Sequence, residues 1–88
     1  MKQKNFDIKQ MNFTKITNRK FSSGHAYQII LIGKGSCYFE LEHKFVHCNT
    51  ETAILLKPDT IIQMEYRNDK KPLELFLIRI APSLLVEL

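Results

Sequence analysis

Apolar and polar residues alternate with a period of two along most of this chain, the spacing of strands rather than helices. From Gly24 onward short apolar runs are separated by turn residues at intervals of roughly 8–12 positions, the pattern of a small all-β sandwich or barrel. Tyr27–Ile32 is rich in aromatic and β-branched residues. Its apolar residues occupy both parities, so both faces are expected to be covered. Gly33-Lys34-Gly35 then turns the chain. Cys37–Glu42 and Phe45–Cys48 read as a hairpin about Glu42-His43. Pairing Leu41 with Lys44, Phe39 with Val46 and Cys37 with Cys48 gathers Cys37, Phe39, Leu41, Val46 and Cys48 on one face. A slip of one residue would set His47 and Asn49 against that face, so the register is specified. Glu42-His43 is not a favoured two-residue turn, which leaves a longer loop as the other expectation.

Three more strands follow: Ala53–Lys57, ended by Pro58-Asp59; Ile61–Arg67; and Leu73–Ile80, whose apolar run is broken only by Glu74 and Arg79. The N-terminal arm offers one further strand near Met11–Thr17. Pro82 suits the first position of a helix, and Ser83 to Leu88 has a helical density of apolar side chains. The start of a helix is expected there, cut by the end of the chain. The expected divisions are an arm over 1–20, a barrel over 21–81 and the helix start over 82–88.

Length and charge sharpen this picture. At 88 residues and 44% apolar content the chain is one small domain with a thin core. No apolar run approaches the roughly 20 residues of a membrane helix, and MKQKNFDIKQ has no apolar segment of a secretory signal. Two cysteines are too few for a disulfide scaffold or a four-cysteine zinc site, so the expected setting is cytoplasmic, without a membrane. The net charge of +4 is unevenly spread. Residues 1–20 carry Lys2, Lys4, Lys9, Lys15, Arg19 and Lys20 against Asp7 alone, whereas the remainder is close to neutral. Such a body is a poor partner for a phosphate backbone. The arm reads either as a solvated tail or as a contact for nucleic acid or an acidic partner.

The stretch HAYQIILIGKGSCYFELEHKFVHCNTETAILLKPDTIIQMEY, part of His25 to Pro82, resembles a cupin domain. In particular it resembles the N-terminal sensor domain of AraC-type (AraC/XylS) bacterial transcription regulators. The resemblance lies in the order of a histidine lead-in, a strand, a Gly-x-Gly turn, a hairpin, a strand ending in proline and a further strand. It implies a cupin-like jelly-roll barrel that senses a small-molecule effector or supports a homodimer in the full-length protein. DNA would be contacted only through a C-terminal helix-turn-helix domain, which has no counterpart in this chain.

Metal-binding cupins share His-x-His followed by Glu, and Pro-x-Gly-x-x-His. Here the first motif reads His25-Ala26-Tyr27 with no carboxylate in residues 28–32. The second reads Pro58-Asp59-Thr60-Ile61-Ile62-Gln63. One ligand of four remains, and neutral Gln and Tyr are poor ligands for transition metals, so neither a metal nor another cofactor is expected. His43 is expected in a solvated turn, and His47 beside Tyr38. Cys37 and Cys48 are expected to be reduced and to act as small hydrophobes, with a redox-switched pair as the alternative.

The candidate effector-binding residues are therefore His25, Tyr27, Tyr38, Gln63 and Arg79, polar or amphipathic side chains in or beside strands. Arg79 stands out because a guanidinium fork in an apolar strand suits a carboxylate or phosphate. A barrel filled by Phe39, Met64 and Phe76 would leave no room at its centre. The expected function is non-catalytic sensing or dimerisation in a transcription regulator. The alternatives are a stand-alone cupin enzyme, which needs the missing ligands, and a small nucleic-acid-binding β-barrel, which needs aromatic residues interleaved with basic ones.

Overall fold

The computed structural model describes residues 6–67 and 70–85. Its strands are β1 (Phe6–Phe13), β2 (Thr17–Ser22), β3 (Tyr27–Lys34), β4 (Cys37–Leu41), β5 (Lys44–Cys48), β6 (Ala53–Leu56), β7 (Ile61–Tyr66) and β8 (Leu73–Ile80). They form two four-stranded antiparallel sheets, ordered β1-β8-β3-β6 and β2-β7-β4-β5. The chain repeatedly crosses from one sheet to the other, so each sheet is assembled from distant segments, in the manner of a jelly roll.

The inner faces follow from the pleat. Ile30 and Ile32 of β3, Leu73, Leu75 and Leu77 of β8, and Ile54 and Leu56 of β6 point inward from the first sheet and are buried. Phe21, Phe39, Cys37, Cys48, Ile62, Met64 and Tyr66 meet them from the second. Phe39, Met64, Leu73 and Leu75 are wholly inaccessible, so the middle of the sandwich is solid. Phe76, expected among the filling residues, lies instead on the outer face of β8, because it has the opposite parity to Leu75 and Leu77.

The β4–β5 register is the one that the apolar face requires, with Cys37 opposite Cys48 and Phe39 opposite Val46. The turn is tight: Glu42 and His43 both adopt left-handed backbone, with φ of 50° and 68°. Residues other than glycine are uncomfortable there. The hairpin accepts this because a longer loop would break the alignment of the inward row.

The arm is more structured than its polarity suggests. Phe6–Phe13 pairs with the whole of β8, and Thr17–Ser22 pairs with the whole of β7. The break between the two strands falls at residues 14–16, inside the single strand expected near Met11–Thr17. Here the chain leaves one sheet for the other. After β8, Pro82–Leu85 form a 3₁₀ turn; residues 86–88, where the expected helix would continue, lie outside the described residues. The outer face of the first sheet is apolar as well. Ile8, Ile78, Ile29 and Leu55 form one row across all four strands. This accounts for the mixed parity of β3 and β8.

Two stability predictions follow from local geometry. Gly35 has φ +79°, and a Cβ there would collide with the Pro72 carbonyl oxygen. Gly35→Ala is expected to lose about 1–3 kcal/mol, read as a lower urea midpoint with an unchanged slope. Burial pushes the Cys37 thiol up from its ordinary 9.0 to about 12, with the neighbouring Cys48 adding to the effect. The folded state thus holds its proton where the unfolded chain loses it. The contribution is fully present below pH 9.0 and is lost as the pH climbs towards about 12. Urea titrations across that window should show a steeper loss of stability in the native sequence than in Cys37→Ala.

Candidate functional site

The strands of the first sheet run past the packed centre, and their inward positions there change character. Inward parity on β8 passes from Leu73, Leu75 and Leu77 to Arg79, which is exposed. On β3 it reaches Gln28, paired with Arg79 and buried at 3%. On β1 it falls on Lys9 and Asp7, opposite Leu77 and Arg79. From the second sheet β2 contributes Arg19, opposite Met64 and therefore inward-facing, and Phe21 one step further in. These residues line a cavity of about 390 Å³, completed by Lys20 and Ser22.

Four cations, Lys9, Arg19, Lys20 and Arg79, thus line one opening whose lining includes a single carboxylate, Asp7. The ion pairs within 4.0 Å among the described residues are His25–Asp59 and Arg67–Glu65, and neither uses a cavity cation. The Arg19 guanidinium lies over the Phe21 ring, 5.5 Å from its centroid. Arg79 Nη2 donates to the Ser23 carbonyl oxygen at 3.3 Å. Among the described residues no carboxylate lies within ion-pair distance of these cations.

The floor behind Arg79 is a polar clasp. Ser23 is fully buried; its Oγ donates to the Lys57 carbonyl at 2.7 Å and accepts from the Thr60 N–H at 2.9 Å. The Ser23 N–H donates to the Thr60 carbonyl, and the Asp59 N–H to the Gly24 carbonyl. These bonds tie the β2–β3 turn to the β6–β7 connection and satisfy a buried hydroxyl.

A second opening, an apolar groove of about 670 Å³, lies on the far side of the Phe21–Ile62 pair. Leu41, Val46, Leu56 and Ile62 line it, with Glu40, Glu42 and Lys44 supplying charge of mixed sign.

Of the five residues singled out in the sequence, the cavity takes Arg79. His25 is fully exposed in the turn before β3, its Nδ1 3.4 Å from Asp59. Tyr27 lies on the outer face of the first sheet. Tyr38 lies on the outer face of the second, beneath Arg67 at 3.9 Å and beside His47 at 5.2 Å. Gln63 shares that outward parity on β7. The structure does not bring these four to Arg79 or to one another. Sequence reasoning overlooked Lys9, Arg19 and Gln28. The available signal was parity: each continues an inward apolar series by two residues.

The metal positions of the cupin pattern do not fit an ion. His25 sits in solvent and Gln63 faces outward, so neither side chain aims at a shared point inside the sandwich. Among the described residues no group of three or more His, Cys, Asp or Glu converges. Burial raises both thiols above their ordinary range, Cys48 less simply because a backbone hydrogen bond from Phe39 opposes the shift. Buried, proton-retaining thiols are poor nucleophiles and poor ligands.

Against known proteins, the architecture is widely shared. ToxT from Vibrio cholerae O395, bound to (E)-4-(8-methylnaphthalen-1-yl)but-3-enoic acid, aligns with TM-score 0.77 at 19% identity, over 93% of this chain and 33% of its own. ToxT from strain SCE256, bound to an unsaturated fatty acid, aligns with TM-score 0.74 at 20% identity, over 100% and 36%. The cupin domain of an XRE family transcriptional regulator from Enterobacter cloacae gives TM-score 0.74 at 8% identity, over 89% and 83%. A putative mannose-6-phosphate isomerase from Ralstonia eutropha JMP134 gives 0.73 at 8%, over 92% and 79%. At these identities the likeness is one of fold: a cupin-like barrel. The chain spans about a third of the length of the ToxT chains. No curated protein sequence matches it. The family model described as the AraC-like ligand binding domain matches residues 17–88, from the start of β2 onward. With that match covering most of its length, the chain belongs to the family of AraC-like ligand binding domains.

Proposed function

We propose that this chain is the effector-sensing domain of an AraC-type transcription regulator and that its effector is a small anionic molecule held at the cationic cavity. The observation that carries this reading is the convergence of Lys9, Arg19 and Arg79 on one opening with no carboxylate at ion-pair distance among the described residues. A solid core supports it: with Phe39 and Met64 at zero exposure, a ligand has no place at the centre and must bind at an end. The carboxylic acids bound by ToxT support the same charge class. The domain is non-catalytic in this reading, since the thiols are buried and the cupin metal positions do not converge. In the full-length regulator the domain works in the cytoplasm as part of a homodimer, and a separate helix-turn-helix domain contacts DNA.

Binding of decanoate to the 88-residue chain, followed by calorimetry, tests the charge reading. A charge-assisted hydrogen bond contributes about 1.5–3 kcal/mol. Arg79→Gln and Arg19→Gln are therefore each expected to weaken decanoate roughly 10- to 100-fold. Raising the ionic strength should weaken it in the native sequence and less in these variants. Equal affinity for all three proteins would remove the cavity from consideration. A parallel thermal scan should show about 2.7 kcal/mol of added stability when decanoate is at 100 times its dissociation constant.

A further inference from the structure

We propose that Gln28 reads a hydroxyl on the molecule held in the cavity at the end of the sandwich, so that the effector is a hydroxylated organic anion. This rests on the anion reading above and adds the second chemical group that the ligand must carry, together with the residue that selects it.

Gln28 is 3% exposed and shares the inward parity of Ile30 and Ile32 on β3. Strand pairing sets it between Arg79 of β8 and Leu56 of β6. Among the described residues its side-chain amide has no hydrogen-bond partner. Neither amide atom is sealed off, and the little surface they keep opens into the cavity that Gln28 lines. Two N–H donors and a carbonyl acceptor thus face the cavity from a place almost closed to bulk water. A buried amide without a partner destabilises a fold, and native structures nearly always supply one. The adjacent strands do not supply one here: Leu56 is hydrocarbon, and Arg79 gives its Nη2 to the Ser23 carbonyl. The other neutral polar side chain of the lining, Ser22, already accepts from the Gly24 N–H.

A hydroxyl suits this amide because it can accept from the N–H or donate to the carbonyl. The cations supply attraction to any anion; the amide supplies a selection that charge alone does not make. A site built to hydrogen-bond a hydroxyl rejects the analogue that lacks it, because the buried group then loses water and gains nothing. The remaining lining suits the same ligand. Apart from Phe21 and Leu77 the residues around the opening are charged or polar. A bare hydrocarbon chain therefore buries little apolar surface against them. An amide kept for a ligand is also a weak point of the empty protein, so its loss should not destabilise the fold, whereas loss of a structural amide would.

Gluconate and hexanoate form the test, since they are equal in carbon number and charge and differ in the hydroxyls that gluconate carries along its chain. Calorimetry on the 88-residue chain is expected to show gluconate binding at least roughly tenfold more tightly than hexanoate. Gln28→Met keeps an unbranched side chain of similar length and removes the amide. It should weaken gluconate at least roughly tenfold and shift hexanoate by less than about threefold. The urea midpoint of ligand-free Gln28→Met should be equal to the native value or higher. With decanoate still bound by the native chain, three results would each overturn the inference and leave the anion site standing. They are hexanoate bound as tightly as gluconate, gluconate affinity that survives Gln28→Met, and a ligand-free midpoint below the native value, failure to fold included. If gluconate, hexanoate and decanoate all fail to bind the native chain, the anion site and the inference fall together.

Discussion

Two sheets closed over one strip of inward-facing side chains form the constraint from which the rest of this molecule follows. An 88-residue chain has few residues to spend on its interior, and here they fill it completely. Phe39 and Met64 from one sheet meet Leu73 and Leu75 from the other with no accessible surface left. A centre packed to this density cannot admit a ligand or an ion without losing the contacts that hold the sheets together. Polar chemistry is displaced to the end of the sandwich, where strands continue beyond the packed layer.

That displacement explains why charged residues occupy inward positions. Arg79 follows Leu77 by two, Lys9 precedes Met11 by two and Arg19 precedes Phe21 by two. Each has the parity of a core residue but stands past the edge of the core, so its charge stays near water while its stem covers apolar neighbours. The same edge carries the one fully buried serine, Ser23, which turns a loop crossing between sheets into a fixed support. The cavity is therefore bounded by a rigid clasp on one side and by long cationic side chains on the other.

Tyr27 and Gln63, where the metal-binding cupin motifs would have ligands, face outward, and the interior is hydrocarbon. Arg67 stacked on Tyr38 and bonded to Glu65 occupies the outer face of the second sheet, an arrangement that braces β4 against β7. The apolar row of Ile8, Ile78, Ile29 and Leu55 on the opposite outer face belongs to the same economy: strands apolar on both parities hold the centre of their sheet.

The strands from Tyr27 onward and the β4–β5 register were legible in the chain, because pleat parity is a local property. Alternation told which side chains share a face, and the apolar row overrode an unfavourable turn at Glu42-His43. What only the tertiary structure decided was which strand ends meet. Lys9 and Arg19 read as members of a basic arm until β1 is laid beside β8 and β2 beside β7, which carries them to Arg79 from the other end of the chain. Tyr27, Tyr38 and Gln63 had the chemistry of a site but the parity of an outer surface, and the inward face could be named only once both sheets were in place. Periodicity is set by neighbouring residues and can be read along a line; convergence is set by strand order, to which residues far apart in the chain contribute.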